Sequence, residues 1–372
     1  MFYQCQKCKR TWQYPLQKCP ECFLKLERFE SKNLKVIGIS RVLIPSPMHP
    51  KVPYFVLLLE DENGNKFVQK FTPYRTGGSD AGAMKEYKIG DRFEIKASQN
   101  KNFVAIWRAK YDLYEAISRV ISLLGGLKID QNKKILILPT LVSVCHPHER
   151  ENTHPEVLRE LIKILIEKGA KAENIKVAGQ SHSETPIEAM AKKSQILSVC
   201  SENKVEFLDL GKGIFKRIEK EGLVFEISEE IFKNDLIINL PILKLDSKLG
   251  VKGAMENLIR FWKKENFLGQ KYLYGEEELI LKLKEVFSSF AKASEDKPKI
   301  LNLADGTIIQ RSNRQAVILD LILASFNPLN LDRVFAEISM IPLPEYLKSV
   351  KISEIPISGR EIGEVQWQLE KI

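Results

Sequence analysis

The chain has 372 residues, of which 44% are hydrophobic and 28% are charged. This balance is typical of globular proteins and excludes a chain that is disordered throughout. No run approaches the roughly 18–20 apolar residues that cross a bilayer, and the first residues lack the apolar core of a secretory signal. We therefore expect a cytoplasmic protein without a membrane partner, and at about 100–200 residues per domain we expect two or three domains.

The formal net charge of +9 is concentrated at one end. Residues 1–110 hold 20 Lys and Arg against 10 Asp and Glu, and the remainder holds 37 against 38. A basic region attracts nucleic acid, phosphorylated cofactors or an acidic protein surface. The alternative is a basic surface that serves only solubility.

Residues 1–30 carry two Cys-x2-Cys pairs separated by ten residues, a spacing that predicts a zinc ribbon. The four thiolates can surround one metal tetrahedrally, which suits structural zinc, and metal binding would supply the folding energy of so short a segment. Rubredoxin holds iron with the same spacing, but glycine usually follows its pairs where this chain has Lys9 and Phe23. The predicted ligands are Cys5, Cys8, Cys19 and Cys22.

Residues 31–110 are rich in Val, Ile and Phe and predict five short strands. Five strands in so few residues suit a small Greek-key β-barrel of the OB type. The strands are predicted at 34–44, 54–62, 66–72, 91–98 and 103–110.

The third of these strands offers two interpretations of its aromatic residues. Phe67 and Phe71 alternate with Lys66, Gln69 and Lys70, as in surfaces that stack single-stranded nucleic acid. However, residues four apart share one face of a strand, which favours two rings in the barrel core.

The N-terminal part resembles the zinc-ribbon/OB proteins encoded beside thiolases and hydroxymethylglutaryl-CoA synthase. The matching features are the two cysteine pairs, the Pro53-Tyr54-Phe55-Val56 entry to the second strand, and the Ile89-Gly90-Asp91 turn. The resemblance implies a module that scaffolds an acyl-CoA enzyme or binds CoA.

A linker helix is predicted over 111–132, and strands then alternate with helices over 133–372. The continuous apolar run at 133–142 is typical of a strand with both faces buried, and 155–169 reads as an amphipathic helix opened by a capping box from Thr153 to Glu156. This alternation predicts an α/β domain with a mostly parallel sheet. Residues 290–299 read as a linker or surface loop. Further strands are predicted at 174–179, 204–210, 235–241, 299–305 and 317–326.

Polar residues follow several of these strands, where ligands of parallel sheets bind. We expect these loops to form one site for a small anionic metabolite, with Gly250, Gly253 and the N–H groups of a helix at about 251–265 close to the ligand. The residues predicted from these loops to bind it are Thr153, Ser181, Lys244, Lys248 and Lys252.

Four of the five histidines fall in two of these loops. We assign His154 as the acid–base group, and Asp305 as the residue that orients a partner or a metal. A second metal in this domain is a further hypothesis, and Cys200 is predicted to lie in the core. The candidate ligands are Cys145, His146, His148, His154 and His182.

The α/β part resembles an uncharacterised family often fused to ferredoxin-type iron–sulfur modules. Matching stretches include 153–162, 235–258 and 327–336. The resemblance implies functional positions, Asn257 as a ligand-binding residue among them, and the motif layout is also faintly similar to nickel-dependent lactate racemases. This chain departs from the family at Leu138, Thr140, Gln180, Asp246 and Glu256. The implied positions are Thr153, His154, Lys244, Asn257, Asp305 and Asp332.

Three functions follow from these patterns. The first is an α/β domain that binds a small carboxylate, phosphate or acyl thioester, whether or not it is an enzyme. The second is a nucleic-acid-binding protein that uses the basic N-terminal part. The third is a scaffold for an acyl-CoA enzyme.

Overall fold

The computed structural model describes the chain in two units, Met1–Lys96 and Ala97–Ile372. Within the described ranges, no helix combines the length and apolar composition needed to cross a bilayer. The described residues are 2–12, 16, 18–29, 33–44, 53–71, 87–93, 103–109, 112–220, 222–291, 299–311, 313 and 315–366.

The first unit contains two small antiparallel sheets. The sheet beside the cysteines has the order β2-β1-β3, and the next has the order β6-β5-β4-β7. The described residues show an open four-stranded sheet, and closure into an OB barrel is not confirmed. The strands are β1 (Phe2–Gln4), β2 (Thr11–Trp12), β3 (Glu27–Phe29), β4 (Leu34–Val42), β5 (Tyr54–Glu60), β6 (Lys66–Phe71) and β7 (Arg92–Phe93).

The rings of β6 lie in the core of this sheet. Phe67 is 2% exposed and Phe71 is 9% exposed, and both belong to the same core cluster as Leu57 and Leu59 of β5. The core interpretation is therefore confirmed, and these two rings do not offer a surface for stacking bases.

The second unit is built on one ten-stranded mixed sheet with a separate hairpin, β12-β13. The sheet order is β11-β10-β9-β14-β17-β18-β8-β19, and β15 and β16 extend it beside β17. The strands are β8 (Val104–Arg108), β9 (Ile135–Pro139), β10 (Ile175–Gly179), β11 (Glu206–Asp209), β12 (Phe215–Lys220), β13 (Leu223–Ser228), β14 (Leu236–Leu240), β15 (Ile242–Asp246), β16 (Gly250–Lys252), β17 (Lys299–Gln310), β18 (Ala316–Ser325) and β19 (Ile357–Gly359). The helices are α1 (Leu113–Leu123), α2 (Pro155–Glu167), α3 (Ile187–Lys193), α4 (Ile196–Glu202), α5 (Ala254–Leu258), α6 (Lys264–Tyr274), α7 (Glu276–Ala291), α8 (Pro328–Ser339) and α9 (Ile362–Val365).

Five neighbouring strands, β11 to β17, are parallel, as the alternation of strands and helices predicted. The strands β17 and β18 form a hairpin and are therefore antiparallel, and β8 is antiparallel to β18. The sheet is thus mixed, with its parallel half carrying the strand ends of interest. Most of the predicted linker at 290–299 lies outside the described residues.

The predicted boundary at residue 110 is wrong. The strand assigned to the barrel, β8, pairs with β18 and β19 in the large sheet. Its residues Val104, Ala105 and Ile106 are fully buried, as expected when both faces of a strand are covered. The predicted linker helix α1 packs on β8 and β18 and belongs to the same domain.

A break at Pro241 shapes the carboxyl end of the sheet. The strand β14 pairs with the first half of β17, and β15 continues beside its second half, with Ile242 opposite Asp305. The strand β16 then folds back on β15. This three-stranded extension projects past the end of β9 and forms one wall of a cavity.

Candidate functional site

A cavity of about 380 Å³ lies at the carboxyl ends of β9 and β14, within the size range of small-molecule sites. Strand ends, the β15–β16 extension, α5 and the α6–α7 junction line it. The lining residues are Thr140, Val142, Glu151, Ile242, Lys244, Leu245, Asp246, Ser247, Lys252, Glu256, Arg260, Lys271, Glu276, Gln310 and Arg311.

Two lysines face each other across this extension. Lys244 of β15 is directly opposite Lys252 of β16, and on its other side it is opposite Gln310 of β17. Like charges at directly opposed positions destabilise a sheet. The pair therefore favours a negative group in the space between the two side chains.

The two lysines have different partners. Lys252 Nζ lies 2.9 Å from Asp246 Oδ2, and although burial opposes it, this hydrogen bond raises the pKa of Lys252. Lys244 Nζ donates to the backbone oxygen of Glu151, and burial lowers the pKa of Lys244. Lys252 is thus held as a cation, whereas Lys244 has no carboxylate within ion-pair distance among the described residues.

Arg311 is a second cation of the lining that pairs with no carboxylate of the described ranges. Arg311 is 8% exposed, and its buried Nε has no hydrogen-bond partner among the described residues. Across the part of the chain that the structure describes, no carboxylate lies within ion-pair distance of it. The guanidinium group of arginine is not deprotonated in proteins, so this residue contributes a positive charge to the cavity lining.

Apart from Glu151, the other charged residues of the lining are paired with each other. Arg260 Nη2 lies 3.3 Å from Glu256 Oε1, and Lys271 forms an ion pair with Glu276. Because these pairs are close to neutral, Lys244 and Arg311 determine the electrostatic character of the cavity, together with the carboxylate of Glu151.

A chain of buried side-chain amides fixes the floor of the cavity. Thr140 Oγ1 donates to Asn257 Oδ1 at 2.8 Å, and Asn257 Nδ2 donates to Asn239 Oδ1 at 2.8 Å. Asn239 Nδ2 then donates to Asn302 Oδ1 at 2.8 Å. All three asparagines are fully buried. Asn257 therefore directs its amide into the protein and supports Thr140.

Thr153 also supports this floor. Its Oγ1 donates to Leu240 O at 2.7 Å and accepts from the N–H of Thr140 at 2.8 Å. The hydroxyl thus ties the end of β14 to the residue after β9. Thr153 does not line the cavity. The capping-box prediction required it to cap α2, but His154 occupies the N-cap position.

His154 and Asp305 lie together, but neither lines the cavity. The backbone N–H of His154 donates to Asp305 Oδ2 at 3.2 Å, and His154 Nδ1 caps α2 by accepting from the N–H of Glu156. Burial, together with the charge of Arg150, lowers the pKa of His154 against the opposing effect of Asp305. Asp305 is fully buried and accepts from Thr307. The catalytic roles assigned to this pair stay predictions.

Two other predicted ligands lie outside the cavity lining. Ser181 Oγ lies 3.1 Å from Ser183 Oγ, within its own loop. Lys248 is exposed at the β15–β16 turn, where its backbone N–H donates to Asp246. Of the five substrate-binding residues predicted from the loops, the structure therefore places Lys244 and Lys252 in the cavity.

The predicted roles of Gly250 and Gly253 are wrong. A Cβ at Gly250 would lie 2.7 Å from Pro344, and one at Gly253 would collide with Asp332. The Asp332 carboxylate also accepts the N–H groups of the first two residues of α5, at 2.6 and 2.9 Å. The glycines therefore make room for protein atoms, and the N–H groups expected to hold a ligand are occupied.

The candidate ligands for a second metal do not form a cluster. Among the described residues, only the four N-terminal cysteines bring at least three potential ligands together. His182 Nε2 lies 2.9 Å from Trp262 O, its ring stacks on Phe267, and burial lowers its pKa to about 3. His146 and His148 have ring centroids 4.8 Å apart. Cys200 is buried, as predicted.

The four N-terminal cysteines are positioned to bind a metal ion. Their sulfur atoms all lie within 4.8 Å of one another. In each pair the backbone turns back on the first cysteine, since the N–H groups of Lys9 and Phe23 donate to the carbonyls of Cys5 and Cys19 at 2.9 Å. Both turn residues have positive φ, 57° and 55°, at the positions where rubredoxin usually has glycine. A hydrogen bond from the backbone N–H of Cys8 lowers the pKa of Cys5 to about 7.

Residues 135–337 match a family model described as a domain of unknown function (DUF362). The chain belongs to this family. All the residues that line the cavity fall inside the matched segment. The match confirms the resemblance of the α/β part to a family without an established function, whereas the zinc-ribbon/OB resemblance of the N-terminal part is not confirmed.

Two solved structures are similar to this DUF362 chain. A protein from Thermotoga maritima has 17% sequence identity and a TM-score of 0.40, with 61% of this chain and 58% of that one covered. The lactate racemase apoprotein from Thermoanaerobacterium thermosaccharolyticum has 14% identity and a TM-score of 0.37, with 69% and 61% covered. The chain thus spans about three fifths of the length of each. No curated protein matches.

Sequence reasoning missed Arg260, Lys271, Glu276 and Arg311. Arg311 was missed because the strand preceding it was predicted to end at Asp305, whereas β17 continues to Gln310. The signal was present in the apolar residues on either side of the polar stretch RSNRQ, which is typical of two strands joined by a short turn.

Proposed function

We propose that the α/β domain binds a small anionic metabolite in the cavity at the carboxyl ends of its strands. The observation that carries this proposal is the pair of cations, Lys244 and Arg311, without carboxylate partners among the described residues. Burying an unpaired charge costs several kcal/mol, roughly, because the protein replaces water poorly. An anion in the cavity removes that cost.

The lining favours a compact polar ligand. Only three of the residues that line the cavity, Val142, Ile242 and Leu245, are apolar. A guanidinium binds carboxylate or phosphate through two parallel hydrogen bonds, and a lysine adds a point charge. We therefore favour a small carboxylate or phosphate over a ligand that needs apolar walls for a long acyl chain.

Thermal unfolding with a panel of small carboxylates and phosphates tests this function. At least one should raise the midpoint of the wild type, and the increase should be lost in Lys244→Met and Arg311→Met. Lys248→Met is the matched control, since it removes an exposed lysine from the same strand extension and should keep the increase. Equal effects on all three variants would contradict the proposal.

We also propose that the four N-terminal cysteines hold zinc as a structural metal. Four sulfur ligands leave no open coordination position for a substrate, and thiolates suit zinc. Metal analysis of the purified chain should give one zinc per molecule. Iron in its place would contradict the assignment.

A further inference from the structure

The cavity contains one lysine whose burial and neighbouring cation disfavour its charge. Lys244 lies on the central strand of the β16-β15-β17 extension, and its Nζ bonds to the backbone oxygen of Glu151. Lys252, directly opposite, is held as a cation by Asp246. A lysine becomes nucleophilic when it is desolvated or placed next to another cation, and Lys244 meets both conditions.

The titratable groups that face Lys244 come from several elements. Lys252 of β16 disfavours its charge, whereas Glu256 of α5, Glu151 of the loop before α2, and Cys145 of the loop after β9 favour it. Desolvation by burial is the largest of these effects, and the pKa of Lys244 is lowered overall. At pH 7 the neutral fraction of the Lys244 amine is therefore larger than that of an exposed lysine.

We propose that Lys244 is a nucleophile that condenses with a carbonyl group of the ligand, so that the cavity takes a small aldehyde or ketone bearing a carboxylate or phosphate. This inference rests on the proposed anion-binding function and narrows its ligand class. Arg311 holds the anionic group, and Lys244, beside it, meets the adjacent carbonyl carbon.

The reaction needs no further reagent. The lone pair of Lys244 Nζ forms a bond to the carbonyl carbon, and the C=O π electrons move to the oxygen. A proton passes from nitrogen to that oxygen to give a carbinolamine, and loss of water then gives the imine. Glu151 also lines the cavity, and its carboxylate relays this proton through a water molecule, since it does not contact Nζ itself.

Reductive trapping of the full chain tests the inference. The protein is incubated at pH 7 with glyoxylate and cyanoborohydride, and the adduct at each lysine is followed by peptide mass spectrometry. Lys244 should be modified faster than exposed Lys248, because desolvation leaves a larger fraction of its amine neutral. Modification of Lys244 no faster than Lys248 would overturn the inference.

Two comparisons show whether the cavity charges make the Lys244 amine reactive or whether it is only accessible to the reagent. Lys252→Met removes the opposing cation and frees Asp246, so it should slow the trapping of Lys244 several-fold and leave Lys248 unchanged. Propanal, which has no anionic group, should label Lys244 more slowly than glyoxylate. Equal rates with Lys252→Met, or with propanal, would overturn the role of the cavity charges.

The outcome is distinguishable from failure of the proposed function. Lys244→Arg keeps the charge without a nucleophilic amine, so it should retain the thermal shift with non-carbonyl anions and lose the adduct. A thermal shift in the wild type without preferential trapping would overturn the nucleophile alone. Absence of both would overturn the nucleophile and the anion site together.

Discussion

Replacing Arg311 with Met should stabilise the protein while it removes anion binding. Across the residues that the structure describes, the buried Nε of Arg311 has no hydrogen-bond partner and no carboxylate pairs with its charge. Methionine keeps most of the aliphatic volume of the stem and carries no charge. Replacing even a paired buried charge and its partner by apolar side chains is often neutral or stabilising by about 1–4 kcal/mol, and an unpaired charge lacks the attraction that offsets its desolvation. Because Arg311 lines a cavity and is not enclosed in the core, we expect a smaller gain of about 1–3 kcal/mol in the free energy of unfolding.

Urea titration followed by tryptophan fluorescence measures this gain. Lys248→Met, which alters an exposed lysine of the same region, should change the free energy of unfolding by less than about 0.5 kcal/mol. Addition of a bound anion should then stabilise the wild type and leave Arg311→Met unchanged. Destabilisation of Arg311→Met by more than about 1 kcal/mol would show that the guanidinium is paired within the protein, and would refute the reasoning.

Three further predictions concern the metal, the pH dependence and the cavity floor. Cys5→Ser should release the metal of the N-terminal unit, and Cys200→Ser should retain it; equal metal content in both variants would refute the four-sulfur site. Burial raises the pKa of Asp332 to about 7, above its unfolded value of about 3.9. The folded state therefore holds a proton that the unfolded chain releases between these values, so the contribution of Asp332 to stability should fall by about 2–3 kcal/mol from pH 4.5 to pH 7. Urea titrations at both pH values should show this slope in the wild type and not in Asp332→Asn; equal slopes would contradict it. Asn257→Leu should lower the free energy of unfolding by about 3 kcal/mol, because Asn239 Oδ1 loses its donor and the Thr140 hydroxyl loses its acceptor, both in the buried interior; a loss below about 1 kcal/mol in the same assay would show that the amide chain is dispensable.

Local patterns predicted the parallel half of the sheet well. The apolar run at 133–142 contains β9, and the amphipathic stretch at 155–169 contains α2. The helix ends before Gly169, whose φ is +108°. In both cases the residues that determine the element lie within it. The side chains alone specify a strand buried on both faces or a helix with one apolar face.

Assignment of strands to sheets could not be read in the same way. The residues of β8 are typical of a strand, but its partners are β18, more than 200 residues later, and β19. Proximity in the chain favoured the preceding strands. Only the burial of both faces of β8, by Val104 and Ile106 on one side and Ala105 on the other, distinguishes the two sheets.

The lysines of the candidate site were predictable from the sequence, whereas the role of Gly253 and the presence of Arg311 were not. Lysines near a strand end indicate an anion, and Lys244 and Lys252 lie in the cavity. A glycine is equally compatible with a ligand and with a close protein neighbour, so the contacts of Gly253 with Asp332 could not be foreseen. Prediction of Arg311 as a site residue required the correct end of β17. Strand boundaries are weakly encoded in local sequence.

Anomalous diffraction from crystals soaked in selenate tests the central claim most directly. Selenate is a compact oxyanion with the charge and shape that the cavity is proposed to hold. We predict an anomalous peak within hydrogen-bond distance of Arg311 and Lys244 in the wild type, and its loss in Arg311→Met. Peaks confined to exposed lysines such as Lys248, with none in the cavity, would contradict the account.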